Sequence, residues 1–218
     1  MTSPGRDLEA TLHDVVDAVV SLFAVTGTGL MFLDDADALR YVVSSNEGSH
    51  VLEVAQEGLG AGPCVDSLVL NTPIATDDIA VDERWPGLAD QVVPAGVRAV
   101  LGVPVRAGAA AVGSLDAYYD AVHPWDKSEI EALQRFATVV DGAVGNALLA
   151  HQRGELAEQL QYALDHRVVI ERAIGLVMGR AGDVDAVAAF NRLRIVARRE
   201  RRRVADVAAD VLNGVLDV

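Results

Sequence analysis

Cysteine is nearly absent from this 218-residue chain: Cys64 stands alone, beside only five histidines. A single thiol excludes a disulfide framework, a Cys-rich zinc site and an iron–sulfur cluster, and it suits a reducing, cytoplasmic setting. The histidines (His13, His50, His123, His151 and His166) are scattered, so no metal site is expected. No stretch reaches the roughly 18 apolar residues that a membrane span needs, and no membrane partner is expected. The apolar stretch Ala18–Val25 follows Asp7, Glu9, Asp14 and Asp17, where a secretory leader would be positively charged. Catalytic signatures are missing as well. There is no G-x-S-x-G elbow, no phosphate-binding P-loop and no H-E-x-x-H, and Gly58–Pro63 is rich in glycine without reading G-x-G-x-x-G. An enzyme is therefore not expected, and no catalytic residue is assigned.

What remains is a chain built to pack. Hydrophobic residues make up 51% and charged residues 23%, which excludes a disordered polymer. The length suits one large or two small domains. Leu8, Leu12, Val15, Val16, Val19, Leu22 and Phe23 recur at helical spacing. Thr28–Asp34 and Arg40–Ser45 read as a strand and its hairpin partner across an aspartate-rich turn. His50–Gln56, Val65–Leu70 and Leu88–Ala95 read as short helices, Gly58–Pro63 and Asp77–Pro86 as loops, and Pro73–Ala75 as a short strand. Ala99–Arg106 and Ala110–Tyr119 are two strong strands around a turn near Gly108. The first 150 residues thus predict an α+β domain with one antiparallel sheet.

No proline follows Pro124. Asp126 with Glu129 resembles a capping box opening a long helix, which the spacing carries to about Met178 with a break at Gly142 or Gly145. Positions 156, 160, 163, 170, 174 and 177 follow 3–4 spacing, with Arg153 and Arg167 in the same seam. They predict a dimeric coiled coil with polar interruptions; packing within the chain is the alternative. Beyond Gly179–Gly182, Asp183 caps a predicted helix over 184–198, and a third follows over 203–212. The tail reads as a compact helical module.

The formal net charge of −14 argues against nucleic acid, because phosphate binding needs local positive charge. The sum hides a division. Residues 1–150 hold 7 basic against 22 acidic side chains, residues 151–218 hold 11 against 10, and 192–203 hold seven arginines against Glu200 alone. Arginine at that density suits phosphate through bidentate, permanently charged hydrogen bonds, and its plane stacks on unpaired bases. A solvated helix face is the bland alternative.

The tail resembles an ANTAR domain, the RNA-binding antiterminator module of bacterial regulators. The resemblance rests on three blocks: Arg167 to Met178 (with Ile170, Glu171, Ala173 and Gly175), Ala189-Phe190-x-x-Leu193-Arg194, and Val204-x-Asp206-Val207-Ala208. Ile174 stands where that family usually has lysine, and Arg201 where it often has asparagine. Residues 5–150 resemble a GAF domain, carried by Gly62–Asp66, Asp77-Asp78, Arg84-Trp85-Pro86, Gly96–Val105 and His123-Pro124-Trp125. The division is then a sensor at 1–150 and an RNA-binding module at 151–218 that includes the coiled-coil linker helix.

Together the resemblances imply a signal-responsive antiterminator that acts as a homodimer on paired stem-loops of nascent transcripts, with a small-molecule ligand in the sensor and no cofactor named. Arg194, Arg198, Arg201 and Arg202 are the first expected RNA contacts. Ala173 and Gly175 lack bulk, so a partner backbone can approach there, and Phe190 either stacks on a base or packs between helices, packing being favoured. Cys64, Asp78, Trp85 and Tyr118 are candidates to line the sensor's ligand cavity. The competing readings are a DNA-binding regulator using a helix-turn-helix tail, and a small-molecule or redox sensor whose arginines contact protein.

Overall fold

In a computed structural model, described for residues 4–33, 39–149 and 155–218, five strands form one antiparallel sheet in the order β2-β1-β5-β4-β3. These are β1 (Gly27–Leu33), β2 (Leu39–Ser44), β3 (Ile74–Thr76), β4 (Ala99–Ala107) and β5 (Ala110–Tyr119). The central pair β4–β5 is a hairpin, with Val103 opposite Leu115 and Leu101 opposite Ala117. Strand β5 also pairs with β1, setting Leu30 opposite Leu115.

Side chains alternate across a strand, so the sheet has two different faces. One carries Leu30, Phe32, Leu101, Val103, Val105, Leu115 and Ala117, all buried. Helix α1 (Pro4–Phe23) covers it with Leu12, Val15, Val16 and Val19, and helix α5 (Lys127–Leu149) with Leu133, Ala137, Val140 and Val144. Each large side chain so buried contributes about 1.5–3 kcal/mol. The other face lies beneath α2 (Glu47–Leu59), α3 (Pro63–Leu70) and α4 (Leu88–Val92).

The predicted capping box holds: Asp126 Oδ1 accepts the Glu129 amide at 2.9 Å and Glu129 Oε2 accepts the Asp126 amide at 2.9 Å. Helix α5 runs through Gly142 and Gly145 without the break expected there. Helix α6 (Glu155–Ala181) follows, with residues 150–154, including Arg153, outside the described residues. The linker seam divides in two. Ile170, Ile174 and Val177 are buried in the tail's own core against α7 (Ala186–Glu200) and α8 (Val204–Leu212), with Phe190, Leu193, Val207 and Val211. They pack within the chain and are not offered to a second helix. The side chains at 156, 160 and 163 lie outside the described residues.

Asp185, rather than Asp183, caps α7, its carboxylate accepting the Ala188 amide at 2.8 Å. Among the described residues no helix is long and apolar enough to cross a membrane.

Candidate functional site

The α2–α3 face of the sheet holds an unusual interior. On β5, alternation that sends Leu115 and Ala117 to the apolar side sends Ser114 and Asp116 to this one. On α2, the i, i+3 spacing sets Glu53 and Gln56 on one face. Cys64 and Ser67 reach in from the first turns of α3. All six side chains are buried. Gln56 grips Cys64 twice: Oε1 accepts its amide at 2.9 Å, and Nε2 donates to Sγ at 3.0 Å. The thiol in turn donates to Asp116 Oδ2 at 3.1 Å. Ser67 and Ser114 share a hydroxyl hydrogen bond of 3.0 Å.

Among the described residues, three oxygens in this interior have no hydrogen-bond partner: both of Glu53 and Oδ1 of Asp116. They converge beside Gly29. A Cβ there would meet Glu53 Oε1 at 1.3 Å and Asp116 Oδ1 at 3.1 Å, so only glycine leaves room for the pair. Burial, and then the charge of Asp116, pushes the Glu53 carboxyl up to about 11. Burial also raises Asp116 to about 7, against the hydrogen bond from Cys64. Glu53 is therefore a protonated acid at neutral pH, able to donate where the ionised form could not. The Cys64 thiol is pushed up by burial first and by Asp116 second, so it is not the exposed, low-pKa thiolate of a redox sensor.

Of the expected cavity residues, Cys64 belongs to this cluster. Trp85 and Tyr118 lie on the same face, buried in an apolar group with Leu52, Leu88 and Val100. Their polar ends are satisfied: Trp85 Nε1 donates to Asp66 Oδ2 at 2.8 Å, and the Tyr118 hydroxyl to Asn46 Oδ1 at 3.0 Å. Asp78 does not join them. Its carboxylate pairs with Arg98 at 2.8 Å and accepts the Ala80 amide at 3.1 Å, fixing the loop after β3. Glu53, Gln56 and Asp116 were missed. The readable signal was an aspartate in mid-strand between Leu115 and Ala117, a position that burial on both faces makes costly.

The arginines divide as sharply. Arg194 is 5% exposed and donates to the Gly60 carbonyl at 2.8 Å. Arg198 donates to the carbonyls of Glu57 at 3.0 Å and Gly58 at 3.3 Å. Arg167 is buried and donates to the Leu68 carbonyl at 3.0 Å and to Glu171 at 3.0 Å. Arg202 pairs with Asp210 at 2.5 Å and Glu200 at 3.3 Å. Arg192, Arg198, Arg199, Arg201 and Arg203 are exposed. Arg201 ends α7 at φ 53°, the left-handed region. Asparagine tolerates that geometry better, which gives a backbone reason for the asparagine often found at this position in the resembling family.

Two expected RNA contacts fall away. Ala173 is 0% exposed and Phe190 2%, both closed inside the three-helix core, where neither a partner backbone nor a base can reach. Ile174 is buried with them, so an apolar residue replaces the family's lysine without cost to packing. Gly175 is exposed, with nothing near the position a Cβ would take.

A family model for the GAF domain matches residues 7–144, and one for the ANTAR domain matches residues 158–212. No curated protein matches the chain. Solved structures with the sensor's fold include a GAF domain from Synechocystis in its photoproduct state, 21% identical, covering 67% of this chain and 99% of that one with a TM-score of 0.56. The type II free methionine-R-sulfoxide reductase of Thermoplasma acidophilum is 15% identical, covering 65% and 94% with a TM-score of 0.55. The blue-light-absorbing form of the PixJ GAF domain from Thermosynechococcus elongatus is 21% identical, covering 70% and 93% with a TM-score of 0.53. At these identities the likeness is one of fold.

Proposed function

The chain belongs to the GAF domain family and carries an ANTAR domain behind it, and from that premise we propose that it is a signal-responsive regulator of transcription antitermination. The GAF part, residues 1–150, senses a small molecule. The ANTAR part, residues 151–218, binds RNA stem-loops in nascent transcripts, and the working form is a cytoplasmic homodimer. Both matched families are regulatory rather than catalytic, although neighbours of the same fold include reductases.

The observation that carries this reading is the arginine-dense end of α7, set on a compact helical module with Arg192, Arg199, Arg201 and Arg203 at its surface. Hairpin loops offer splayed bases and closely spaced phosphates to such groups. Arg198, Arg201 and Arg202 remain the first contacts proposed, with Arg194 joining when it leaves the sensor. The buried, high-pKa thiol of Cys64 counts against the redox alternative.

The test is crosslinking of bound cellular RNA followed by sequencing, alongside hairpin RNA and duplex DNA compared in vitro. Glutamate at 194, 198, 201 and 202 together is expected to abolish hairpin binding and flatten its salt dependence. Hairpin binding with an unchanged salt slope in that variant would overturn the reading, and preference for the duplex would favour a DNA-binding regulator.

A further inference from the structure

An α-helix leaves its last four carbonyls without intrahelical partners and its C-terminal end partially negative. A lysine or arginine of the helix's own last turn can bond those carbonyls. Neither α2 nor α3 has a basic residue in its last turn. The cations come from the other domain. Arg198 takes the carbonyls of Glu57 and Gly58, and Arg194 takes that of Gly60, the left-handed residue that ends α2. Arg167 takes the carbonyl of Leu68 near the end of α3. Val69 of α3 packs against apolar side chains of both domains beside these bonds.

We infer that these arginines form a latch: by capping the open ends of two sensor helices they hold the ANTAR module against the sensor, withhold Arg194 from RNA and tie the exposed Arg198 to the Glu57 and Gly58 carbonyls. This rests on the reading of the tail as an RNA-binding module. The two uses exclude each other. Arg194, almost wholly buried with its guanidinium 5.7 Å from the Phe190 ring centre and bonded to Gly60, cannot reach an external phosphate without leaving the sensor. The latch is also placed to feel the sensor. Helix α2 carries Glu53 and Gln56 inside the polar cluster and the Arg194 and Arg198 acceptors at its end. Gln56 joins them directly: its side chain holds Cys64, and its carbonyl accepts the Gly60 amide at 2.8 Å.

The latch can be opened from the sensor side, leaving every arginine in place. A Cβ on Gly60 would lie 2.1 Å from Arg194 Nη1 and 2.7 Å from Cζ. Gly60→Ala therefore dislodges the guanidinium. Gly108→Ala is the matched control, because Gly108 has a similar positive φ of 64° with nothing near its Cβ position. Val69→Ser, which thins the apolar contact, is a second opening variant should Gly60→Ala fold poorly.

The full-length proteins are compared by amide hydrogen exchange and by affinity for a synthetic RNA hairpin with a six-base loop. The expected result is faster exchange in α7 and at the end of α2, unchanged exchange in β4 and β5, and hairpin binding tighter by about tenfold, the factor by which a one-in-ten open population weakens apparent affinity. Gly108→Ala should match the parent in both. Faster exchange with unchanged hairpin affinity overturns the inference, as does equal exchange in Gly60→Ala and Gly108→Ala. If no protein binds any hairpin, the RNA reading fails, while the exchange comparison still decides whether the arginines clamp the two domains.

Discussion

The two faces of the sensor sheet are made by the same strands and are built on opposite principles. The α1–α5 face is apolar apart from Thr28, with Leu30, Val103 and Leu115 meeting Val16, Leu133 and Val140. The α2–α3 face buries two carboxylic acids, a carboxamide, a thiol and hydroxyls on the opposite side of the same strands. The first arrangement is what stability alone selects. The second costs stability, because three buried oxygens lack partners. The face sits in the domain assigned to sensing and touches the helices that the tail's arginines cap.

The sharpest break in this comparison is expected on the apolar face. Leu115→Ala should cost about 3–4 kcal/mol through lost burial and a cavity, with the same loss at pH 5 and pH 8 in urea unfolding. Glu53→Gln should do the reverse on the polar face. The folded protein keeps a proton on Glu53 up to about pH 11, whereas the unfolded chain releases it near 4.5. Stability therefore falls as pH rises above 4.5. Removing the acid should stabilise by about 2–3 kcal/mol at pH 8 and by little at pH 4.5. A gain of equal size at both values would place the cause in packing instead.

Asp116→Asn sharpens the contrast further. The raised value of about 7 confines its penalty to the window between roughly 3.8 and 7. A gain of about 1–2 kcal/mol should grow through that window and then level off, the buried amide donors offsetting part of it. A continued rise above pH 8 would contradict the assignment of the two acids. The smallest effect is expected in the tail. Arg201→Asn relieves a left-handed arginine at the end of α7 and should raise Tm by about 1–3 °C. Removing one cation should also lower the hairpin-binding salt slope by about one. An unchanged Tm would show that the left-handed arginine stores no strain there.

Much of the fold was legible because it follows from periodicity. The strands at 99–107 and 110–119 announce themselves as apolar runs around a glycine, and Asp126 with Glu129 marks the start of α5 to the residue. Helix ends were less so: α2 extends over 47–59, beyond the 50–56 expected, since its capping residue Asn46 bonds Ser49, a pairing weaker in sequence than a glutamate box. In the linker one spacing serves both a coiled coil and an intrachain core: Ile170, Ile174 and Val177 serve the latter, and the side chains at 156, 160 and 163 lie outside the described residues.

The polar cluster stayed hidden because Glu53, Cys64 and Asp116 are far apart in the chain and only the sheet brings them together. The docking of Arg194 and Arg198 was hidden for a different reason. An arginine's partner can be read from sequence when it is an acid at helical spacing, as with Arg167 and Glu171. Here the partners are carbonyl oxygens, which every residue has.

The groups on the sensor that receive Arg167, Arg194 and Arg198 belong to the main chain of Leu68, Gly60, Gly58 and Glu57. Side-chain replacement cannot delete them so long as the two helices end where they do. Side chains in the interior of the GAF domain can therefore change without removing the acceptors that the tail's arginines use.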